Sequence, residues 1–247
     1  MKNKFATCFL VIIFTLCNLS KVLGEEFIFE VSDLEIVDNG NTYKGNNRGT
    51  IRTDSQLKLI SDNFEYLKKI NRLEANGNVQ LFDLNNDITI NAQQIFYLKN
   101  EEKIFTLGKT LIKISNKYDI EGFDLIFFKD KMILSSKKNA IITDSESNTY
   151  KLEQFQYSID KEILKGENIV AITNDKKNKS DEFFFKTGFF DLKKNKFLGK
   201  DISAKFHKDL FGNNKNDPRI SAVSVYGDKV NTYFKKGVFT SCKKTDK

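Results

Sequence analysis

A unit of roughly thirty residues recurs along this chain, inside the range that marks stacked repeats rather than one irregular globule. The stretch from Leu59-Ile60-Ser61 to Leu67-Lys68-Lys69-Ile70 lines up with Ile90-Asn91-Ala92 to Leu98-Lys99-Asn100-Glu101. Ile120-Glu121-Gly122 to Phe128-Lys129-Asp130-Lys131 repeats the pattern, and so does Leu152 to Ile159-Asp160-Lys161-Glu162. Each copy closes on a turn spelled from Lys, Asn, Asp and Glu. Such a stack predicts an elongated surface or groove rather than an enzyme pocket.

Inside the unit the dominant period is two, the signature of strands. Ile88, Ile90 and Ala92 face one way, and Thr89, Asn91 and Gln93 the other. Leu111-Ile112-Lys113-Ile114, Ala140-Ile141-Ile142-Thr143 and Ile169-Val170-Ala171-Ile172-Thr173 read as further strands. Turns are expected at Asn85-Asn86-Asp87, Asn116-Lys117, Asp144 to Asn148 and Asp175-Lys176-Lys177-Asn178, because Asn and Asp accept turn conformations. Pro218 is the one proline, so the repeat body keeps every ladder N–H that continuous sheets need. Glycines at 77, 108, 122, 166, 188 and 199 mark bends or bulges. The fold class is therefore all-β, a folded-over sheet with an apolar inner face. One body domain spans 25–216, and the tail 217–247 has a different texture that reads as a connector.

Lys2 and Lys4, the apolar run from Cys8 to Cys17, and Val22-Leu23-Gly24 spell a secretory signal over residues 1–24, cut between Gly24 and Glu25. The run is too short and wrongly flanked for a membrane span. Phe14-Thr15-Leu16-Cys17 lacks the small residue that a lipoprotein signal places before its Cys. The mature protein is expected outside the cytoplasm, with Cys242 its lone cysteine. A single Cys in an oxidising compartment points to a partner outside the chain or to an unpaired surface thiol.

The net charge of +7 is spread over turns and solvent faces, which reads first as a solvated surface, with anionic partners such as phosphorylated lipid the alternative. Nucleic acid is not expected, since no Arg-rich stripe or helical reading motif is present. Catalysis finds no motif: no Gly-x-Ser-x-Gly elbow, P-loop or His-Glu-x-x-His occurs. His207 is the single histidine and reads as solvent-facing. Glu101-Glu102 and Asp181-Glu182 read as solvated turn carboxylates. No metal-ligand spacing or cofactor motif exists. A small outer-membrane barrel also alternates along its strands, but needs aromatic girdles and a lipid-facing apolar side. Here the outward positions are Lys, Glu and Asn, and Trp is absent.

The tail carries a resemblance. Asn216-Asp217-Pro218-Arg219, with Gly237-Val238-Phe239-Thr240-Ser241-Cys242-Lys243-Lys244, resembles the LptD (OstA/Imp) family of outer-membrane lipopolysaccharide-assembly proteins. Leu73-Glu74-Ala75-Asn76-Gly77-Asn78-Val79 and Ile90-Asn91-Ala92 are similar to phrases of that family's periplasmic OstA-type domain, which LptA shares. The resemblance covers the whole mature chain and implies a periplasmic, elongated β-jellyroll of stacked, bent antiparallel strands. It also implies an apolar groove that shields the acyl chains of lipid A on their way to a C-terminal barrel. The implied partners are an LptA-like protein docked by edge-strand pairing and an LptE-like lipoprotein with the barrel. Cys242 matches a family disulfide position, its partner lying outside this sequence. The chain departs from the family in having no Cys near its mature N-terminus and no barrel after Cys242. A free-standing LptA-like bridge is the alternative, and an unrelated secreted scaffold with a filled core is a third. Alternation picks the groove liners: Leu57, Leu59, Phe64, Tyr66, Ile88, Ile90, Ile95, Tyr97, Ile112, Ile114, Ile120, Leu125, Phe127, Leu152, Phe155 and Tyr157. A one-residue slip would reverse the face.

Overall fold

Alternation with few interruptions builds strands and little else. The computed structural model describes residues 27–173, 180–212 and 215–243. The signal segment with Gly24 and Glu25, and the turn expected at 175–178, lie outside the described residues. The chain begins with β1 (Ile28–Glu30), β2 (Asp33–Val37), β3 (Thr42–Asn46), β4 (Gly49–Arg52), β5 (Leu57–Ser61) and β6 (Asn63–Leu67). Long strands follow, β7 (Arg72–Asp83), β8 (Ile88–Leu98) and β9 (Lys103–Ile114). Next come β10 (Tyr118–Phe123), β11 (Ile126–Phe128), β12 (Ile133–Ser136), β13 (Ala140–Asp144), β14 (Thr149–Leu152) and β15 (Gln154–Ser158). The last are β16 (Ile163–Ile172), β17 (Glu182–Asp191), β18 (Lys196–Lys205), β19 (Arg219–Gly227), β20 (Thr232–Lys235) and β21 (Val238–Thr240).

The described strands form one 21-stranded antiparallel sheet folded into two walls. The first wall runs β2, β3, β6, then one arm each of β7, β8 and β9, then β11, β12, β15, the arms of β16 to β19, and β20. The second runs β1, β4, β5, the other arms of β7 to β9, then β10, β13, β14, the other arms of β16 to β19, and β21. At the usual strand spacing the stack is roughly 60 Å long. The fold is thus an all-β jellyroll of stacked, bent antiparallel strands. Arg219 to Thr240, set apart above as connector, supply the last rungs of both walls, because Ile220, Ala222 and Val225 continue the inward alternation.

A strand that crosses from one wall to the other must keep its apolar residues inside on both arms. An extra residue at the bend makes this happen, since it reverses the phase of a period-two pattern. Register jumps between Asn76 and Val79 in β7 and between Ala92 and Gln94 in β8. In β16 and β18 the bend residues Asn168 (φ 47) and Asp201 (φ 47) are left-handed, and Gly77 (φ 80) serves β7. Behind Gly77 stands the Asp62 carboxylate, which accepts from Arg48 at 2.9 Å and Asn78 at 2.7 Å.

The repeat seen in the sequence is a ladder of turns. Each turn on the first wall donates a backbone N–H to the preceding one: Lys68 to Asn41 at 2.8 Å, Lys99 to Asn71 at 3.0 Å, and Lys129 to Glu102 at 2.9 Å. Ile159 then donates to Met132 at 2.8 Å and Leu192 to Glu162 at 2.9 Å. The accepting Asn71, Glu102, Met132 and Glu162 are all left-handed. For Glu and Met that conformation costs about 1–2 kcal/mol, and the turn-to-turn hydrogen bond offsets part of it.

On the bend side, Asp124 accepts the Gly108 N–H at 2.7 Å and pairs with Lys138. The Lys138 ammonium first, then that N–H, hold its carboxyl below the usual carboxylate range. A depressed folded-state pKa gives stability that is complete above the unfolded value near about 4 and is lost as pH falls through the folded one. Asp124→Asn should therefore lower the urea midpoint at neutral pH, by a deficit that shrinks at an acid pH where the wild-type carboxyl is protonated. Equal deficits at both pH values would show that the ion pair contributes nothing.

Candidate functional site

The inner faces of the walls meet in one continuous apolar cluster that runs the length of the stack. All the liners chosen by alternation, from Leu57 to Tyr157, point into it, and they range from Ile95 at 0 % exposed to Tyr66 at 8 %. Alternation predicts an apolar inner face, either a filled core or an open groove. In the structure the two walls close on one another, because each wall's apolar stripe is the nearest cover for the other's. The cluster extends past Tyr157 through Leu164, Ile169, Phe185, Phe190, Ile202 and Val225, which the sequence reading did not assign.

Small and large inward side chains mix beside the bend. On the first wall Ala75, Thr106, Gly166, Gly188 and Gly199 sit next to it together with Phe64 and Phe155, which pair with Ala75 and Gly166, while Tyr66, Tyr97, Phe127, Tyr157 and Phe190 lie near the turns. The glycines let second-wall side chains reach the opposite backbone. A Cβ on Gly166 would stand 2.5 Å from Leu152 Cδ2, and one on Gly199 would stand 2.3 Å from Phe185 Cδ1. The bend closes one long side of the interior, and the turns border the far side.

That far side is a mouth, where the turns of the two walls face each other and no backbone ladder joins them. Its rim is polar. Tyr66 donates to Asn71 at 2.8 Å and Tyr97 to Glu102 at 3.0 Å, so each ring stays inside while its hydroxyl reaches the edge. Bridges across the mouth include Lys129 Nζ to Ser55 Oγ at 3.2 Å, Lys117 Nζ to Glu162 at 2.7 Å, and Tyr118 to the same carboxylate at 3.2 Å. Burial, and secondarily Glu162, pushes the Tyr118 phenol far up, so it remains an uncharged donor. Phe27 covers one end of the opening, its ring 4.7 Å from Tyr66 and 6.0 Å from Tyr97 between centroids. The arrangement is a packed apolar interior with one long edge closed by side chains alone.

Other sequence candidates lie away from this space. His207 is half-buried rather than solvent-facing: its Nδ1 is 2.8 Å from Asp181, which also accepts its backbone N–H at 2.9 Å. The clasp ties the end of β18 to the start of β17. Glu102 is engaged by Tyr97 and Lys129 rather than simply solvated. Cys242 is exposed with a free thiol, and its carbonyl accepts Arg219 at 2.9 Å.

No family model matches the chain, and no curated protein matches it either. Among solved structures the chain is similar to LptH of Pseudomonas aeruginosa, described as the LptA homologous periplasmic component of the conserved lipopolysaccharide transport device. The identity is 10%, the TM-score is 0.34, and the match covers 58% of this chain and 82% of that one.

Proposed function

We propose that this chain carries lipopolysaccharide through the periplasm by enclosing its acyl chains between the two walls, as the periplasmic part of an LptD-type translocon. No reaction is catalysed; the work is non-covalent shielding. The observation that carries this reading is the uninterrupted apolar interior, sealed by backbone at the bend and by side chains at the mouth. Acyl chains enter sideways, displace wall-to-wall contacts, and leave the phosphorylated sugar outside by the polar rim. The cost of separating the walls is repaid as acyl chains cover the same apolar surface, at about 25 cal/mol per Å². The tail resembling the LptD family supports the translocon assignment, with Cys242 available to a cysteine beyond this sequence.

A free-standing LptA-like bridge is the second reading. It is favoured by β19 to β21, which extend the stack instead of leaving it as a connector. A photo-crosslinking residue at Ile90 or Ile120 should label lipopolysaccharide in cells, while one at the outward Lys113 should not. Labelled protein that sediments with the outer membrane supports the translocon part, and labelled protein in the soluble periplasm supports the bridge. Absence of label at both inner positions in folded protein would refute both.

A further inference from the structure

A second apolar concavity lies outside the walls. On the outer face of the first wall, strands β12, β15 and β16 to β20 form a trough of about 1130 Å³. That is slightly above the usual range for small-molecule pockets. Its floor is the backbone of Gly166, Gly188 and Gly199, paired side by side across three strands. Phe189, Leu198, Tyr226 and Tyr233 line its sides, with Leu198 50 % exposed and Tyr233 61 % exposed. At strand spacing it runs roughly 30 Å along the stack.

Lysines rim this trough. Lys137, Lys165, Lys200 and Lys235 line it against a single carboxylate, Glu167, which is taken by Gln154 at 2.5 Å. Among the described residues none of these lysines forms an ion pair. Strand lysines elsewhere do, as in Lys44–Glu65, Lys109–Glu121 and Lys205–Glu182. The local excess of positive charge is unbalanced just where apolar side chains are exposed.

We propose that the trough binds one phosphorylated lipid, its acyl chain along the glycine floor and its phosphate on the lysines. The floor glycines sit inside the ladder with a strand on either side, so a peptide lying there finds no free backbone group to pair with. An acyl chain needs none. A phosphate monoester carries more than one negative charge at neutral pH, which matches several lysines better than a single carboxylate does. The site is separate from the interior and stands whether or not the interior carries lipid.

The test is calorimetric titration of the mature chain with dodecyl phosphate below its micelle concentration. Saturable binding is expected, weakened by about tenfold or more in Lys165→Gln/Lys200→Gln/Lys235→Gln. Leu198→Asp should abolish it. Dodecyl maltoside should bind far more weakly, and inorganic phosphate or a poly-glutamate peptide should not compete. Unchanged affinity in the lysine variant, equal affinity for the maltoside, or competition by the peptide would each overturn the proposal. The Ile90 photo-label reports the interior in the same variants. Label retained there while the trough variants bind dodecyl phosphate like the wild type refutes the trough and leaves the interior reading intact.

Discussion

Phe185→Ala should destabilise the protein by about 3–5 kcal/mol, the usual cost of emptying a buried phenylalanine site. Phe185 is 2 % exposed and meets Phe190 edge-on at 5.3 Å and Phe197 at 6.1 Å between ring centroids. Its ring also lies over Gly199, where an added Cβ would come within 2.3 Å of Cδ1 and 3.2 Å of Val225 Cγ1. Gly199→Ala should therefore cost about 1–3 kcal/mol by overpacking. The two changes should not add. An alanine at 199 occupies space that the missing ring vacates, so the double variant should fall short of the sum by about 0.5–3 kcal/mol. Urea midpoints of the four proteins measure this, and strict additivity would mean that the close approach is not what requires glycine. The damage should also be local, since stacked repeats interact mainly with their neighbours. Hydrogen exchange should speed up in β16 to β19 and leave β7 and β8 protected.

Much of this architecture is legible from residue types alone, and the illegible parts have physical causes. Ile88-Thr89-Ile90 alternates cleanly, so its inward side is readable, and the Lys-Asn turns repeat at the spacing that the hydrogen-bonded turn ladder later explains. The Phe183-Phe184-Phe185 run has no readable phase. Phe183 and Phe185 face inward and Phe184 outward, and the pattern changes phase at the next residue, Lys186, which the strand register leaves unpaired. Phase reversal at Asn168 and Asp201 likewise hides Ile169 and Ile202 from any single register. Wall closure cannot be read from one strand, because it depends on a partner contributed by residues far along the chain. The outer trough is hidden for the same reason. Gly166, Gly188 and Gly199 are spaced as ordinary bend glycines, and only antiparallel pairing sets them side by side. The Asp217 segment looks unlike the repeats because its strands are separated by polar turns such as Asp228 to Asn231, although its inward positions keep the pattern.

Bridging the mouth should stop loading. If acyl chains enter sideways, the turn holding Ser55 and the turn holding Lys129 must separate, and their side chains stand 3.2 Å apart at Oγ and Nζ. The experiment uses Ser55→Cys/Lys129→Cys in a Cys242→Ser background, joined by a short bismaleimide long enough to span the lysine stem. Both residues are in turns, and Cys242 is exposed; a matched urea midpoint for the unbridged double variant checks that the fold is kept. Lipopolysaccharide labelling from a photo-crosslinker at Ile90 should fall to background in the bridged protein. It should persist when each cysteine is capped by a monofunctional maleimide. The Lys117 end of the Lys117–Glu162 pair is exposed, so solvent screens this mouth contact and it resists opening only modestly. Glu162→Gln should consequently raise the labelling rate while leaving the interior packed. Undiminished labelling in the bridged protein would place entry at the ends of the stack. Lipid would then thread along the interior past the end strands β1 and β2 or β20 and β21, and the mouth bridges would serve stability alone.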